Sequence, residues 1–347
     1  MAEFELIDHI RRRALQRSDV ILGIGDDAAV LEVPPGKHLV VATDTLNAGV
    51  HFPEATAPAD IGWKALAVNL SDLAAMGAQP AWCTLSLSLP GSDAAWLDEF
   101  LDGFLELAQQ HRVALVGGDT TRGPLSICVT AHGLVEPDRA LRRDGAQAGD
   151  DIWVSGTLGD AAAALRLLLA LRPGEGGSEG PEQTDRHRAA PDLVQRLHRP
   201  TPRIATGLAL AGIAHSAIDI SDGLLADLGH ICHASAVAAQ LQLDALPVSQ
   251  TLRDSFEPAQ VRELQTGGGD DYELCFTAPF AARDTIQQIA RSTRTALTRI
   301  GRIEAGSGVR ALTGQGQPWM PPRTGYAHFA PTSGFSHDRM HDSSSDC

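Results

Sequence analysis

Leu39-Val-Val-Ala-Thr-Asp-Thr45 is an apolar run that breaks into an acidic, hydroxyl-rich turn, and the chain repeats the device. Val113-Ala-Leu-Val116 runs into Gly117-Gly118-Asp119, and Ser216-Ala-Ile-Asp-Ile220 runs into Ser221-Asp222-Gly223. Short apolar runs bounded by glycine and aspartate read as buried strands, so carboxylates would collect at strand ends. Gly25-Asp26-Asp27 and Gly269-Asp270-Asp271 add two more acidic loops. Asp before Gly or Thr also makes ordinary turns by hydrogen-bonding its own backbone. Several such loops together, however, are what a hard cation needs, because Mg2+ binds through a few carboxylates, waters and substrate phosphates. The pattern predicts an α/β chain with a metal-and-nucleotide site assembled from several loops.

Between the first two strands, Asp60 to Met76 reads as a helix, with Asp60 as N-cap, Gly77 as terminator and Pro80 beyond it. At 100° per residue, Asp72 lies about 20° around that helix from Ile61, inside the apolar stripe. A carboxylate there needs a partner, which predicts a metal or hydrogen-bonding role. A turn-rich stretch at 136–150 marks a boundary between two halves. Beyond it, Asp151–Ser155 reads as a strand, and Ser155-Gly-Thr-Leu-Gly-Asp160 as a glycine loop feeding the helix 161–171, a weak phosphate-cradle signal. Strands follow at 216–220, 272–277 and 296–303, with helices from 223 to about 238 and near 280–292. Residues 173–190 have the composition of a flexible loop and 331–347 that of a disordered tail. The resulting division is 1–140, 150–306, a segment 307–330 and the tail.

The chain has 347 residues, 43% hydrophobic, with a net charge of −15. That length implies two domains. The acidic balance argues against nucleic acid as a partner, which is bound through clustered Lys and Arg. No stretch approaches the ~20 apolar residues of a membrane span, so a cytoplasmic protein is expected. Five scattered cysteines, without CxxC or His/Cys spacing, point to buried thiols rather than disulfides or zinc. Only two lysines occur, Lys37 and Lys64, and neither sits in a Walker A loop. A phosphate-bearing substrate would need metal ions to offset the acidic groups.

Six ordered stretches carry a specific resemblance: Gly23-Ile-Gly-Asp-Asp-Ala-Ala29, Thr43-Asp-Thr-Leu-Asn-Ala-Gly-Val-His-Phe52, Lys64 through Ala78, Gly117-Gly-Asp-Thr-Thr-Arg-Gly123, Ala217-Ile-Asp-Ile-Ser-Asp-Gly-Leu224 and Asp271-Tyr-Glu-Leu-Cys-Phe276. Over residues 3–330 they resemble the thiamine-monophosphate kinase family. The resemblance implies a two-domain fold of mixed α/β type, shared with aminoimidazole-ribonucleotide synthetase, with N-terminal domains pairing in a homodimer. It implies ATP-dependent phosphorylation of thiamine phosphate to thiamine diphosphate. It also implies Mg2+ ligands at Asp27, Thr43, Asp44, Asp72, Asp119, Asp219 and Asp222, and ATP contacts at Gly118, Asp119, Arg143 and Ser221. His51, Asp270 and Tyr326 match positions facing thiamine phosphate. Asp270 stands where Glu is usual, Ala42 replaces a common hydroxyl residue, and 173–190 looks like an insertion.

This chemistry needs no general base. The attacking oxygen belongs to a phosphate whose second pKa is about 6, so it is ionised at neutral pH. What it needs is neutralisation of two polyanions and in-line positioning, from metal ions and an Arg, here Arg143. Two other readings use the same residues: a sister ATP-dependent synthetase of the same fold, and a non-catalytic divalent-cation-binding protein.

Overall fold

The computed structural model describes residues 3–170, 190–322 and 325–326. Of the expected loop at 173–190, residues 173–189 lie outside the described residues, as does the tail at 331–347, whereas Ala190 is described and buried. The first half runs α1 (Glu3–Arg13), β1 (Val20–Leu22), β2 (Val30–Leu31), β3 (His38–Asn47), α2 (Pro58–Ala75), β4 (Gln79–Leu89), α3 (Ala94–His111), β5 (Ala114–Arg122) and β6 (Ser126–Val135). β3 to β6 form a four-stranded sheet of order β3-β6-β4-β5, antiparallel except for the β4–β5 pair.

The second half runs β7 (Asp151–Ser155), α4 (Asp160–Ala170), α5 (Pro191–His198), α6 (Ile204–Leu210), β8 (Ser216–Asp219), α7 (Leu224–Ser235), β9 (Ala238–Gln242), α8 (Gln250–Ser255), α9 (Pro258–Gly267), β10 (Leu274–Ala278), α10 (Arg283–Thr293), β11 (Leu297–Glu304), β12 (Gly308–Leu312) and β13 (Pro318–Trp319). Its sheet has seven strands in the order β13-β12-β9-β11-β7-β10-β8. The mixed α/β class and the strands at 151–155, 216–219, 274–278 and 297–304 agree with the sequence.

Four local readings need correction. β3 is not buried: its alternate residues Leu39 and Val41 are exposed, because only one face of this antiparallel sheet is covered. The acidic residues Asp44 and Asp119 accordingly sit inside strands β3 and β5 rather than beyond their ends. α2 starts at Pro58, with Ala57 at the N-cap and Asp60 in the first turn. The helix from 224 stops at Ser235, where Ala236 turns left-handed and Val237 leads into β9.

α2 is the centre of the molecule, buried around nearly its whole circumference. It reaches α3 and α6 at contact distance because glycines face the crossings. A Cβ at Gly62 would lie 2.0 Å from the Phe100 carbonyl, and one at Gly207 would lie 2.0 Å from that of Ala74. Since α6 belongs to the second half, α2 joins both halves in one core.

Candidate active site

A helix buried on all sides must satisfy its polar side chains internally, and α2 does so on the acidic loops. Asn69 Oδ1 accepts from the Asp44 amide at 3.0 Å. Ser71 Oγ donates to Asp219 Oδ2 at 2.8 Å. Lys64 Nζ donates to the His51 carbonyl at 3.0 Å and lies 3.1 Å from Asp270 Oδ2. Asp72, half-buried on the same helix, completes a set drawn from both halves of the chain.

The electrostatics of this set are unfavourable without a cation. Asp72 is pushed well up from the usual carboxylate range by burial, then by the charges of Asp219 and Asp44, with Arg143 opposing. Burial also raises Asp219, helped by Asp44 and opposed by the Ser71 hydroxyl and Arg143. Asp44 is raised by burial and by Asp222. Asp44, Asp72, Asp219 and Asp222 thus share one field with the Arg143 guanidinium at its edge. Among the described residues, no three His, Cys, Asp or Glu converge tightly enough to hold an ion unaided. Mg2+ takes only one or two carboxylates with water and substrate phosphates, so an all-oxygen, dispersed carboxylate set fits it.

Ser221 and Asp222 occupy a turn held from below by Asp227. One oxygen of this 2%-exposed carboxylate accepts the amides of Ser221, Asp222 and Gly223 at 3.1, 3.1 and 3.0 Å. Gly118, Asp119 and Asp27 come together elsewhere, lining a cavity of about 680 Å³ with Asp26 and Arg11. The Asp27 amide donates to Asp26 Oδ1 at 2.9 Å, a bond between adjacent residues. Asp44 and Gly118 fall on one register row through Val129 and Leu85, three strand spacings or roughly 14 Å along the sheet. Thr43 leaves β3 on the face opposite Asp44, where its hydroxyl lies 3.0 Å from that of Thr130.

The loop Gly267–Asp271 is zipped onto the Ser221 turn. Asp270 and Tyr272 amides donate to the Ser221 and Ile220 carbonyls at 2.9 and 2.8 Å, and the Tyr326 amide donates to the Asp222 carbonyl at 3.0 Å. Gly269 is required by this contact, since a Cβ there would lie 2.5 Å from the Ser221 carbonyl. The glycine run therefore packs loop on loop. His51 is tied in through Lys64, and its Nδ1 accepts from the Asn47 amide at 2.9 Å. His51, Asp270 and Tyr326 consequently border the carboxylate set. The glycine loop at 155–160 is no phosphate cradle: its Gly159 amide is taken by both oxygens of buried Asp271, at 3.0 and 2.9 Å.

Sequence reasoning missed the residues that support this site: Lys64, Asn69, Ser71, Asp227 and Glu273. A usable signal existed for three of them, because Lys64, Asn69 and Ser71 interrupt a helix that is otherwise apolar. Asp227 also had a local signal, an acid in the first turn of α7 that accepts the amides just before it, whereas Glu273 pairs with Arg203 70 residues away, which no local pattern encodes.

The fold and these loops have clear relatives. Residues 25–135 match the family described as AIR synthase related protein, N-terminal domain, and residues 147–313 match AIR synthase related protein, C-terminal domain. The thiamine-monophosphate kinase of Escherichia coli K12 is 46% identical over 329 residues, 94% of this chain and 98% of that protein. A crystal structure of thiamine-monophosphate kinase from Stenotrophomonas maltophilia K279a superposes with a TM-score of 0.81 at 56% identity, covering 90% of this chain and 96% of its own. AaThiL, complexed with AMPPCP and TMP, gives a TM-score of 0.71 at 35% identity over 94% and 97%. Identity at this level across both halves establishes that the chain belongs to the thiamine-monophosphate kinase family.

Proposed function

We propose that this chain transfers the γ-phosphoryl group of ATP to thiamine phosphate, giving thiamine diphosphate and ADP by direct in-line displacement. The observation that carries the reading is the shared field of Asp44, Asp72, Asp219 and Asp222 with Arg143 at its edge, drawn from both halves. A relative's complex with AMPPCP and TMP supports a two-ligand site of this kind here.

The four carboxylates would hold Mg2+ ions, as would Asp27 and Asp119 in the cavity beside Gly118; the Thr43 hydroxyl faces away from Asp44, so Thr43 would take part through its backbone oxygen alone. When bound, Mg2+ supplies positive charge that offsets the phosphates as negative charge moves onto the leaving oxygen. Arg143 is the guanidinium for the transferred phosphoryl group. Gly118, Asp119 and Ser221 attend the nucleotide, and His51, Asp270 and Tyr326 attend the acceptor. The acceptor oxygen is already ionised at neutral pH, so no residue is assigned as base. The division at 1–140, 150–306 and 307–330 goes with this reading, the first two pieces sharing the metal and nucleotide residues and the last bearing Tyr326.

The test is product-resolved: with γ-labelled ATP, label should enter thiamine diphosphate and never the chain. Asp270→Ala should raise KM for thiamine phosphate about tenfold or more and leave KM for ATP within twofold. A rise in KM for ATP alone would move this loop to the nucleotide.

The reading includes a homodimer through the outer face of the four-stranded sheet, where Leu39 is 46% and Val41 54% exposed. Val41→Glu should shift the light-scattering mass from two chains to one, and an unchanged mass would remove this face from the interface. A cytoplasmic setting accompanies ATP use and the free thiols of Cys83, Cys128, Cys232 and Cys275 among the described residues. Among the described residues, no helix is long and apolar enough to cross a membrane.

A further inference from the structure

Lys64 is 1% exposed, on α2, which joins both halves of the chain. A buried ammonium is costly unless paired, and the partners of this one lie on the acceptor side of the site. Its Nζ donates to the His51 carbonyl at 3.0 Å and meets Asp270 Oδ2 at 3.1 Å. The other oxygen of that carboxylate accepts from the Tyr272 hydroxyl at 2.9 Å. Asp270 is therefore held at both oxygens, on a backbone that is itself left-handed at φ 67°, as is Tyr272 at φ 49°. Such conformations persist only where the surroundings impose them, and they cluster at ligand clamps.

We propose that Lys64 is the positioning residue of the acceptor pocket, fixing the Asp270 carboxylate and the His51 loop from one atom so that the pocket is set before thiamine phosphate enters. The proposal rests on the assignment of His51 and Asp270 to the acceptor made above. The ammonium balances the charge of Asp270, and contacts on both oxygens fix the direction of the carboxylate. Asp270 then recognises the acceptor by lone pairs aimed in a fixed direction rather than by net negative charge. Its side chain is 27% exposed, so without the ammonium it is free to turn towards water.

Lys64→Met keeps the stem and removes the charge. It should raise KM for thiamine phosphate at least tenfold, leave KM for ATP within twofold, and leave kcat at saturating acceptor within about threefold. Asp270→Asn should raise the same KM, and Lys64→Met/Asp270→Asn should be no worse than the worse single variant, because residues acting as a unit lose their joint contribution once. Additive losses, or a parallel loss of ATP affinity, would overturn the proposal by making Lys64 a packing residue. Asp270→Asn with wild-type KM for thiamine phosphate would instead overturn the acceptor-side assignment, a result distinct from additivity. Should Lys64→Met fail to fold, the double variant leaves neither charge buried alone and serves as the test. There, weak acceptor binding with normal ATP binding supports the proposal, and wild-type acceptor binding overturns it.

Discussion

Asp72→Asn should lower kcat by at least two orders of magnitude, and Asp44→Asn by a similar factor, a loss of about 2.7 kcal/mol in transition-state stabilisation. Each carboxylate lies in the field shared by Asp44, Asp72, Asp219 and Asp222 and would hold ions that offset the reacting phosphates. The same substitutions should not weaken the metal-free fold. Burial and neighbouring charge raise the pKa of Asp72 in the folded chain above its unfolded value of about 3.9. The folded state then binds more protons than the unfolded one, so this group's contribution falls as pH rises from that value to the raised one. Asn carries no such penalty, so Asp72→Asn should melt at or above the wild-type temperature in chelator at neutral pH. It should also lose most of the wild-type gain in Tm on adding Mg2+. Near wild-type turnover, or a lower Tm in chelator, would remove Asp72 from the ion-holding set.

The acidic residues of this site were legible in the sequence because a carboxylate in an apolar setting violates a local rule, and such violations mark function. Asp72 sat on the buried stripe of a helix, and Asp44, Asp119 and Asp219 closed apolar runs. Strand faces were less legible. Leu39-Val-Val-Ala42 is apolar throughout, so alternation could not say that Leu39 and Val41 point outward on an uncovered face. Gly269 serves an approach to the Ser221 turn, a contact set by tertiary packing that no local pattern shows. The supports of the site were hidden for the same reason: Ser71 meets Asp219 across 148 residues, and Lys64 meets Asp270 across the two halves. Such pairs exist only once α2 lies between the sheets.

Glu273→Gln should be the most destabilising single change near the site. Glu273 opens into β10 directly after the Asp270–Tyr272 loop, with a fully buried side chain. Its carboxylate is gripped by Arg203 through Nε at 2.6 Å and through Nη2, by Arg196 Nη2 at 2.6 Å, and by the Ser155 hydroxyl. Burial alone would push its pKa up, but Arg203, Arg196 and Ser155 together hold it below the usual glutamate range. Gln keeps the shape and removes the charge, leaving two guanidiniums facing a neutral amide. Removing one partner of a buried ion pair costs about 3–5 kcal/mol, or roughly 10 °C in Tm at about 2–4 °C per kcal/mol for a domain of this size. The sign with pH follows from the depressed pKa. The stabilisation is fully present above the unfolded value of about 4.3 and is lost as pH falls through the lower folded value. The Tm difference between wild type and Glu273→Gln should therefore be full at pH 7 and shrink on acidification below about pH 4. Kinetic damage should follow from the same cause, since Arg196 and Glu273 anchor the strand that follows the Asp270–Tyr272 loop. A Tm within about 1 °C of wild type at pH 7 would mean that neighbouring groups or water satisfy both arginines, and that this network does not hold the loop in place.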